Sequence, residues 1–303
     1  MKIAAAAYPL DVFTDWAAYE AKLSAWVAEA AGQGADLLVF PEYGAMELAS
    51  LSEEAVWTDL QAASRFISDL MPEVNALHLR LAAEHGVHIL GASGPVLEGG
   101  QIVNRAHLHT PDGQTGFQDK LIMTLWERAP WGVVGQGPLK VFETALGRIA
   151  INICYDSEFP LLARAQSEAE ILLVPSCTEA LEGYWRVRIG AMARALEGQC
   201  VAVMSSVVGV YPLLEAVDVN CGTGGIFGPP DRGFPPTGVL AEGVLDAPGW
   251  TYAEVDTQAI AEARAAGNVR NRAHWAEQPA VTPSESVPLG AIQSLKLSAE
   301  RPI

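Results

Sequence analysis

An α/β fold is predicted by three features of the sequence. Short apolar runs rich in Val, Ile and Leu alternate with longer stretches of helical period through most of the chain, a pattern of interleaved strands and helices. Half of the 303 residues are hydrophobic and only 18% are charged. The chain can therefore bury a large core and is not a disordered polyanion. Two segments, ADLLVFPE (35–42) and AEILLVPS (169–176), echo one another, each an apolar run that follows a helix and ends at a proline. They hint at two related halves, each delivering polar residues at the C-terminal end of a strand.

The elements follow in order. KIAAAAY reads as a first strand, because Pro9 and Asp11 interrupt its apolar stretch before it reaches the length of a secretory leader. A helix is expected over about 14–32, with Tyr19, Leu23, Trp26, Val27 and Ala30 on one face, ended by Gly32 and Gly34. ADLLVF (35–40) is the next strand. Pro72 is read as the start of a second helix that runs through Leu77 and Leu81 to Gly86, before the strand VHILGA (87–92). IVNRAHLHT and the PDG turn at 111–113 form one arm of a hairpin, and KVFET and GRIAINIC form the next pair around Leu146-Gly147. After Phe159-Pro160 come a helix, the strand EILLVPS, and a helix over 184–197 with Trp185, Ile189, Met192 and Leu196 on one stripe. QCVAVMSSVVG, GTGGIFG and GWTYAEV close the set. From Gly267 the periodicity is lost and Pro279, Pro283, Pro288 and Pro302 follow. One domain over 1–266 and an extended tail over 267–303 are expected.

The formal net charge of −17 opposes nucleic-acid phosphates and anionic lipid as partners. No apolar run reaches bilayer-spanning length, and a cytoplasmic location is expected. Cys154, Cys177, Cys200 and Cys221 are widely spaced with no CxxC, which disfavours zinc and dithiol redox chemistry. His107 and His109 share a strand face but lack a third ligand, so no metal is expected. Gly222-Thr223-Gly224-Gly225 lacks the strand–turn–helix setting of a phosphate loop and reads as a tight turn or close backbone contact.

Three stretches place reactive side chains at strand ends or in loops. LLVFPEYGAME carries Glu42, FQDKLIMTLWERAPWGVVGQG carries Lys120 and Glu127, and IAINICYDSEFP carries Cys154. Together they form a workable acyl-transfer set: a sulfur nucleophile, a carboxylate to take its proton, and a cation for the oxyanion. The Tyr155 N–H, just beyond the cysteine, is the candidate second oxyanion donor. Singly, each residue has an ordinary alternative: core packing for the thiol, a surface ion pair for Lys120 and Glu127, a helix N-terminal charge for Glu42. Cys177 also follows an apolar strand, and periodicity does not choose between the two thiols. Tyr43, Trp126, Trp131, Cys177, Thr178 and Glu179 flank these stretches and are candidate pocket walls. Arg186 and Arg188 are candidates either for a substrate carboxylate or for subunit and Glu contacts.

PE after LLVF, then DK…ER…W…G, ICYD.EFP, LLVPS and ARALEGQ, in that order over residues 3–256, resemble the nitrilase superfamily of carbon–nitrogen hydrolases. The resemblance implies a four-layer αββα sandwich of two packed sheets flanked by helices, and a Glu–Lys–Cys triad at Glu42, Lys120 and Cys154. It implies that Glu127 is the second glutamate assisting the lysine, and that Cys177 lines the pocket. No metal or organic cofactor is implied. A homodimer or higher homo-oligomer would form through helices over 157–170 and 184–198. Cys154-Tyr155-Asp156 looks like the amidase-type branches rather than the Cys-Trp-Glu of nitrile-hydrolysing members. The expected activity is hydrolysis of a non-peptide C–N bond in a small carboxamide through a cysteine thioester, giving an acid and ammonia or an amine. SCTEALEGYWRVRIGAMARALEGQC departs from the patterns of ω-amidases and carbamoyl-amine hydrolases, which leaves the acyl group and amine open. A nitrilase or an N-acyltransferase would use the same triad; a catalytically silent binding or assembly protein would have no chemical use for all four residues.

Overall fold

The computed structural model describes residues 1–278. The first half runs β1 (Lys2–Pro9), α1 (Trp16–Gly32), β2 (Leu37–Val39), α2 (Glu54–Trp57), α3 (Leu60–His85), β3 (His88–Leu90), β4 (Gly94–Glu98), β5 (Gln101–His109) and β6 (Thr115–Asp119). The second runs β7 (Val141–Thr144), β8 (Gly147–Ile151), α4 (Pro160–Ala165), β9 (Ile171–Ser176), α5 (Leu181–Gly198) and β10 (Val201–Val210). After these come β11 (Val219–Asn220), β12 (Gly225–Phe227), β13 (Val239–Glu242), β14 (Gly249–Glu254), α6 (Thr257–Ala266) and α7 (Asn271–His274).

The strands hydrogen-bond in the order β4-β5-β3-β2-β1-β10-β9-β8-β7. At the centre β1 runs parallel to β2 on one side, Ile3 opposite Leu37, and parallel to β10 on the other, Ala7 opposite Ser206. Parallel pairing needs crossover helices, and α1 and α5 supply them on the two halves. Strand alternation sorts the side chains. Ala4, Ala6, Tyr8, Leu38 and Phe40 join one core with Tyr19, Leu23 and Val27 of α1 and Ile67, Val74 and Leu81 of α3. Ile3, Ala5, Leu37 and Val39 face the other way, into a second core with Ile149, Ile151, Leu173, Val203 and Val187 of α5. The sheet curls so that its halves pack across this second core with helices outside, an α/β sandwich. The two echoing segments flank the β1–β10 pair as β2 and β9.

The hairpins form at the expected places, with Ala106 opposite Gln118 and Phe142 opposite Ile149. Close approach explains the glycine cluster: a Cβ on Gly224 would lie 2.5 Å from the Ala5 carbonyl oxygen. Three expectations need correcting. The helix assigned to Pro72 begins twelve residues earlier, at Leu60, where the Asp59 carboxylate caps the Gln61 and Ala62 N–H groups. Pro72 sits inside it at the cost of one backbone hydrogen bond, because the Ile67, Met71, Val74 stripe is buried on both sides of the proline. On α5 the buried face is Tyr184, Val187, Gly190, Ala191 and Ala195, whose small residues permit close packing. Of the stripe read as one face, Trp185, Ile189 and Leu196 lie outward, with Ile189 60% exposed, while Met192 packs against the second core. In place of one helix over 157–170, a 3-10 turn precedes the six-residue α4.

Within the segment expected to be extended from Gly267, Asn271–His274 is helical, and Gln199 holds the Val269 carbonyl. The rest of that segment, from Pro279, lies outside the described residues. No helix among the described residues is long and apolar enough to cross a membrane.

Candidate active site

Four chain segments bring reactive groups to one point. β2 leads through Pro41 to Glu42, β6 to Lys120, the following loop to Glu127, and β8 through Asn152-Ile153 to Cys154. All four are buried, none more than 5% exposed. The Lys120 ammonium is the hub. Its Nζ donates to Glu42 Oε1 at 2.7 Å and to Glu127 Oε1 and Oε2 at 2.7 and 2.8 Å. The Cys154 thiol faces the Cys177 carbonyl at 3.9 Å, and the Glu42 carboxylate, whose charge acts on that thiol, accepts the Cys177 N–H on Oε2 at 3.0 Å. The ends of the two echoing strands thus meet on one carboxylate.

The two glutamates share one cation yet differ in character. Burial pushes Glu42 up to about 7; Lys120 opposes this and the Glu127 charge adds to it. Burial pushes Glu127 the same way, but Lys120 outweighs it and holds Glu127 below its ordinary value. The hydrogen bonds explain the difference. Glu127 Oε2 also accepts the Thr124 N–H and hydroxyl, both at 2.9 Å, and Oε1 accepts the Tyr43 hydroxyl at 2.9 Å. A carboxylate so fully solvated by donors stays ionised. For Lys120 burial favours the neutral amine, but the two carboxylates prevail and keep it a cation. Burial drives the Cys154 thiol well above its ordinary value, aided by the Glu42 charge. Cys154 therefore rests as a neutral thiol beside a base that titrates near neutrality.

Cys154 has φ +49°, in the left-handed region, a conformation a non-glycine residue adopts only when its surroundings impose it. Those surroundings are explicit. The Ser157 hydroxyl donates to the Cys154 carbonyl at 2.7 Å, and the buried Arg194 of α5 donates to the Ser157 carbonyl at 3.0 Å. Asp156 accepts the N–H of Leu121 at 3.1 Å and of Ile122 at 2.8 Å, tying the turn at Cys154 to the Lys120 loop. Gly190 lets α5 approach, since a Cβ there would lie 3.0 Å from the Ser157 carbonyl oxygen.

A cavity of about 720 Å³ opens over these groups. Tyr43, Trp126, Trp131, Tyr155, Cys177, Thr178 and Glu179 all line it. Trp131 is anchored by its indole N–H on Ser64 and stacks at 4.5 Å on Tyr43, so both form the back wall. Arg186 reaches the cavity, 3.7 Å from Glu158, whereas Arg188 turns away and forks onto Glu242. Beyond the expected residues the rim carries Glu158, Glu182, Glu215 and Asp218. His109 stacks on His78 of α3 at a ring separation of 5.8 Å and on His107 at 6.1 Å, away from this cavity. Among the described residues no cluster of three or more His, Cys, Asp or Glu is placed to hold a metal.

Asn104, Ser93 and Asp156 are the site residues that sequence reasoning missed. Asn104 left a signal: it shares alternate strand positions with Ala106 and Leu108, and an amide on an apolar face must find partners.

Residues 2–229 match the family model described as carbon–nitrogen hydrolase. A probable hydrolase of Bacillus subtilis (strain 168) is 37% identical over 81% of the chain, which spans only 48% of that protein's length. Among solved structures, a branch 10 member of the nitrilase superfamily from Saccharomyces cerevisiae superposes with TM-score 0.66 at 19% identity, covering 88% of this chain and 93% of its own. A variant of the amidase from Nesterenkonia sp. AN1 gives TM-score 0.62 at 23% identity, covering 88% and 97%. At these identities the two structures show a shared fold.

Proposed function

Because the chain belongs to the carbon–nitrogen hydrolase family, we propose that it hydrolyses a small carboxamide through a thioester on Cys154. The observation that carries this is the cluster of Glu42, Lys120 and Glu127, joined by contacts of 2.7–2.8 Å and lining one open cavity together with Cys154. As an amide carbonyl enters, Glu42 takes the thiol proton and sulfur bonds to the carbonyl carbon. Protonated Glu42 loosens its hold on Lys120, whose freed N–H meets the new oxyanion together with the Tyr155 N–H. Collapse breaks the C–N bond while Glu42 protonates the departing nitrogen. Water then gives its proton to Glu42 and attacks the thioester; the C–S bond breaks and the thiol regains its proton. Glu127 stays ionised and keeps Lys120 charged.

A mutant of the amidase from Nesterenkonia sp. AN1 shows the result of Michael addition of acrylamide at its active-site cysteine, which supports assigning that part to Cys154. The cavity lining sets the substrate's charge: Glu158, Glu179, Glu182, Glu215 and Asp218 stand against Arg186, so acyl groups bearing a carboxylate are disfavoured. The outward Trp185 and Ile189 of α5 and Leu161 of α4 form the contact of a homodimer, checked by light scattering of the purified protein. The function is tested with a panel of small amides, ureido acids and nitriles read by ammonia release. Mass spectrometry of the trapped acyl group on Cys154 is the second readout. Turnover by Cys154→Ala at the wild-type rate would overturn the assignment, and product that changes with added amine would make the enzyme an acyltransferase.

A further inference from the structure

Glu42 is held by a residue that none of the reactive segments contains. Asn104 lies in the middle of β5 and is fully buried. Its side-chain Nδ2–H donates to Glu42 Oε1 at 2.9 Å, and its Oδ1 accepts the Ser93 hydroxyl at 2.7 Å. The same Ser93 oxygen accepts the N–H of Tyr43 at 2.9 Å, next to Glu42 and in the left-handed region at φ +55°. The Asn104 backbone carbonyl accepts the N–H of Lys120 at 2.9 Å. One residue therefore touches the base with its side chain and the lysine with its main chain.

The polarity of this chain is fixed by chemistry. Ser93 Oγ takes the Tyr43 N–H, so its own proton goes to Asn104 Oδ1, which forces the NH₂ toward Glu42. Glu42 Oε1 then receives two donors, Lys120 at 2.7 Å and Asn104 at 2.9 Å. Oε2 receives one, the Cys177 N–H. Oε1 has no lone pair left in a good direction, whereas Oε2 does.

We infer that Asn104, oriented by Ser93, is a positioning residue that occupies Oε1 and so makes Oε2 the oxygen that exchanges protons with the Cys154 thiol. This rests on Glu42 being the general base. Because the amide donates more strongly to the ionised carboxylate than to the neutral acid, it also lowers the pH at which the base becomes active.

The test uses Asn104→Leu, close in volume and without a donor, and the milder Ser93→Ala, which leaves the donor but frees its orientation. Thermal unfolding and circular dichroism establish that each variant is folded. In Asn104→Leu, kcat should fall about ten- to a hundredfold, the scale of one hydrogen bond to a charged group, with KM changed less than about threefold. The acidic limb of kcat/KM, and of Cys154 alkylation by iodoacetamide, should move up by about one pH unit. Ser93→Ala should shift it the same way by less, and carries the test if Asn104→Leu does not fold. A folded variant that loses kcat with its limb unmoved overturns the inference, leaving Asn104 a packing residue. A wild-type enzyme without an acidic limb, or Glu42→Gln with full activity, overturns the general-base assignment and the inference with it.

Discussion

Glu127→Gln should move the pH dependence of the base downward, because the Glu127 charge is one of the forces holding Glu42 up. Two 2.7 Å contacts on one nitrogen keep Glu42 Oε1 and Glu127 Oε1 within about 5.4 Å of each other. At an effective dielectric of about 20, a unit charge at that distance is worth about 3 kcal/mol, equivalent to about two pKa units. Neutralising Glu127 also releases Lys120 to bind Glu42 alone, which acts in the same direction. The sign is clear: Glu42, raised to about 7 in the native protein, becomes a carboxylate at lower pH in the variant. The acidic limb of kcat/KM reports the free enzyme and should shift from about 7 toward about 5, even though kcat itself drops as Lys120 loses its partner. If turnover is too slow to follow, the pH profile of iodoacetamide alkylation at Cys154 gives the same limb. A limb that stays in place or rises would refute the electrostatic account, and a limb that vanishes would point to Glu127 as the group that titrates.

Four further outcomes follow from the geometry. Lys120→Met should abolish turnover and lower stability by about 3–5 kcal/mol in urea titrations, since it leaves two buried carboxylates without their cation. Cys177→Ala should retain activity within a few-fold in the ammonia assay, because Cys177 meets Glu42 through its N–H and not its sulfur. Within a matched series of amides, neutral and cationic acyl groups should show higher kcat/KM than carboxylate-bearing ones, the gap narrowing with salt; an anionic preference would place Arg186 in control of the rim. Burial holds His78 and His107 down at about 4, so the unfolded chain takes up their protons first and stability falls as pH drops below about 6.5. By pH 5 each costs about 2 kcal/mol; urea midpoints at pH 7 and 5 should separate less in His78→Leu than in the wild type.

The strand framework was legible because buried parallel strands are written as unbroken apolar runs, LLVF and ILLV among them, and because the chain changes direction at Pro and Gly. The reactive groups were legible for a related reason: a charged or nucleophilic residue directly after such a run is placed at the end of a sheet. Ser93 escaped because nothing local marks its distant partner, Ser93 and Tyr43 being 50 residues apart; Asn104, on an apolar strand face, showed that it needs a partner but not which one. Pro72 misled because a proline at a helix start and one within a long helix look alike locally. The deciding residue, Asp59, lies more than three turns upstream. The outward stripe of α5 misled because two apolar faces share that helix, and only the packing partner, the nucleophile turn against Gly190, selects between them.

Strain is concentrated where the chemistry is. Tyr43 and Cys154 are two of four non-glycine residues with positive φ among the described residues, one beside the proposed base and the other the proposed nucleophile. Each is held by its own short relay, Ser93 and Asn104 for the first, Ser157 and Arg194 for the second. The Asp156 carboxylate and the Asn104 carbonyl then bind both relays to the segment that bears Lys120. Left-handed geometry costs of order 1–3 kcal/mol at each residue, and buried hydrogen bonds of about 1 kcal/mol apiece offset it. Glu42, Lys120 and Cys154 are thus fixed by backbone anchors before any substrate arrives, so the proton transfer proposed from sulfur to carboxylate would require little reorganisation of the protein.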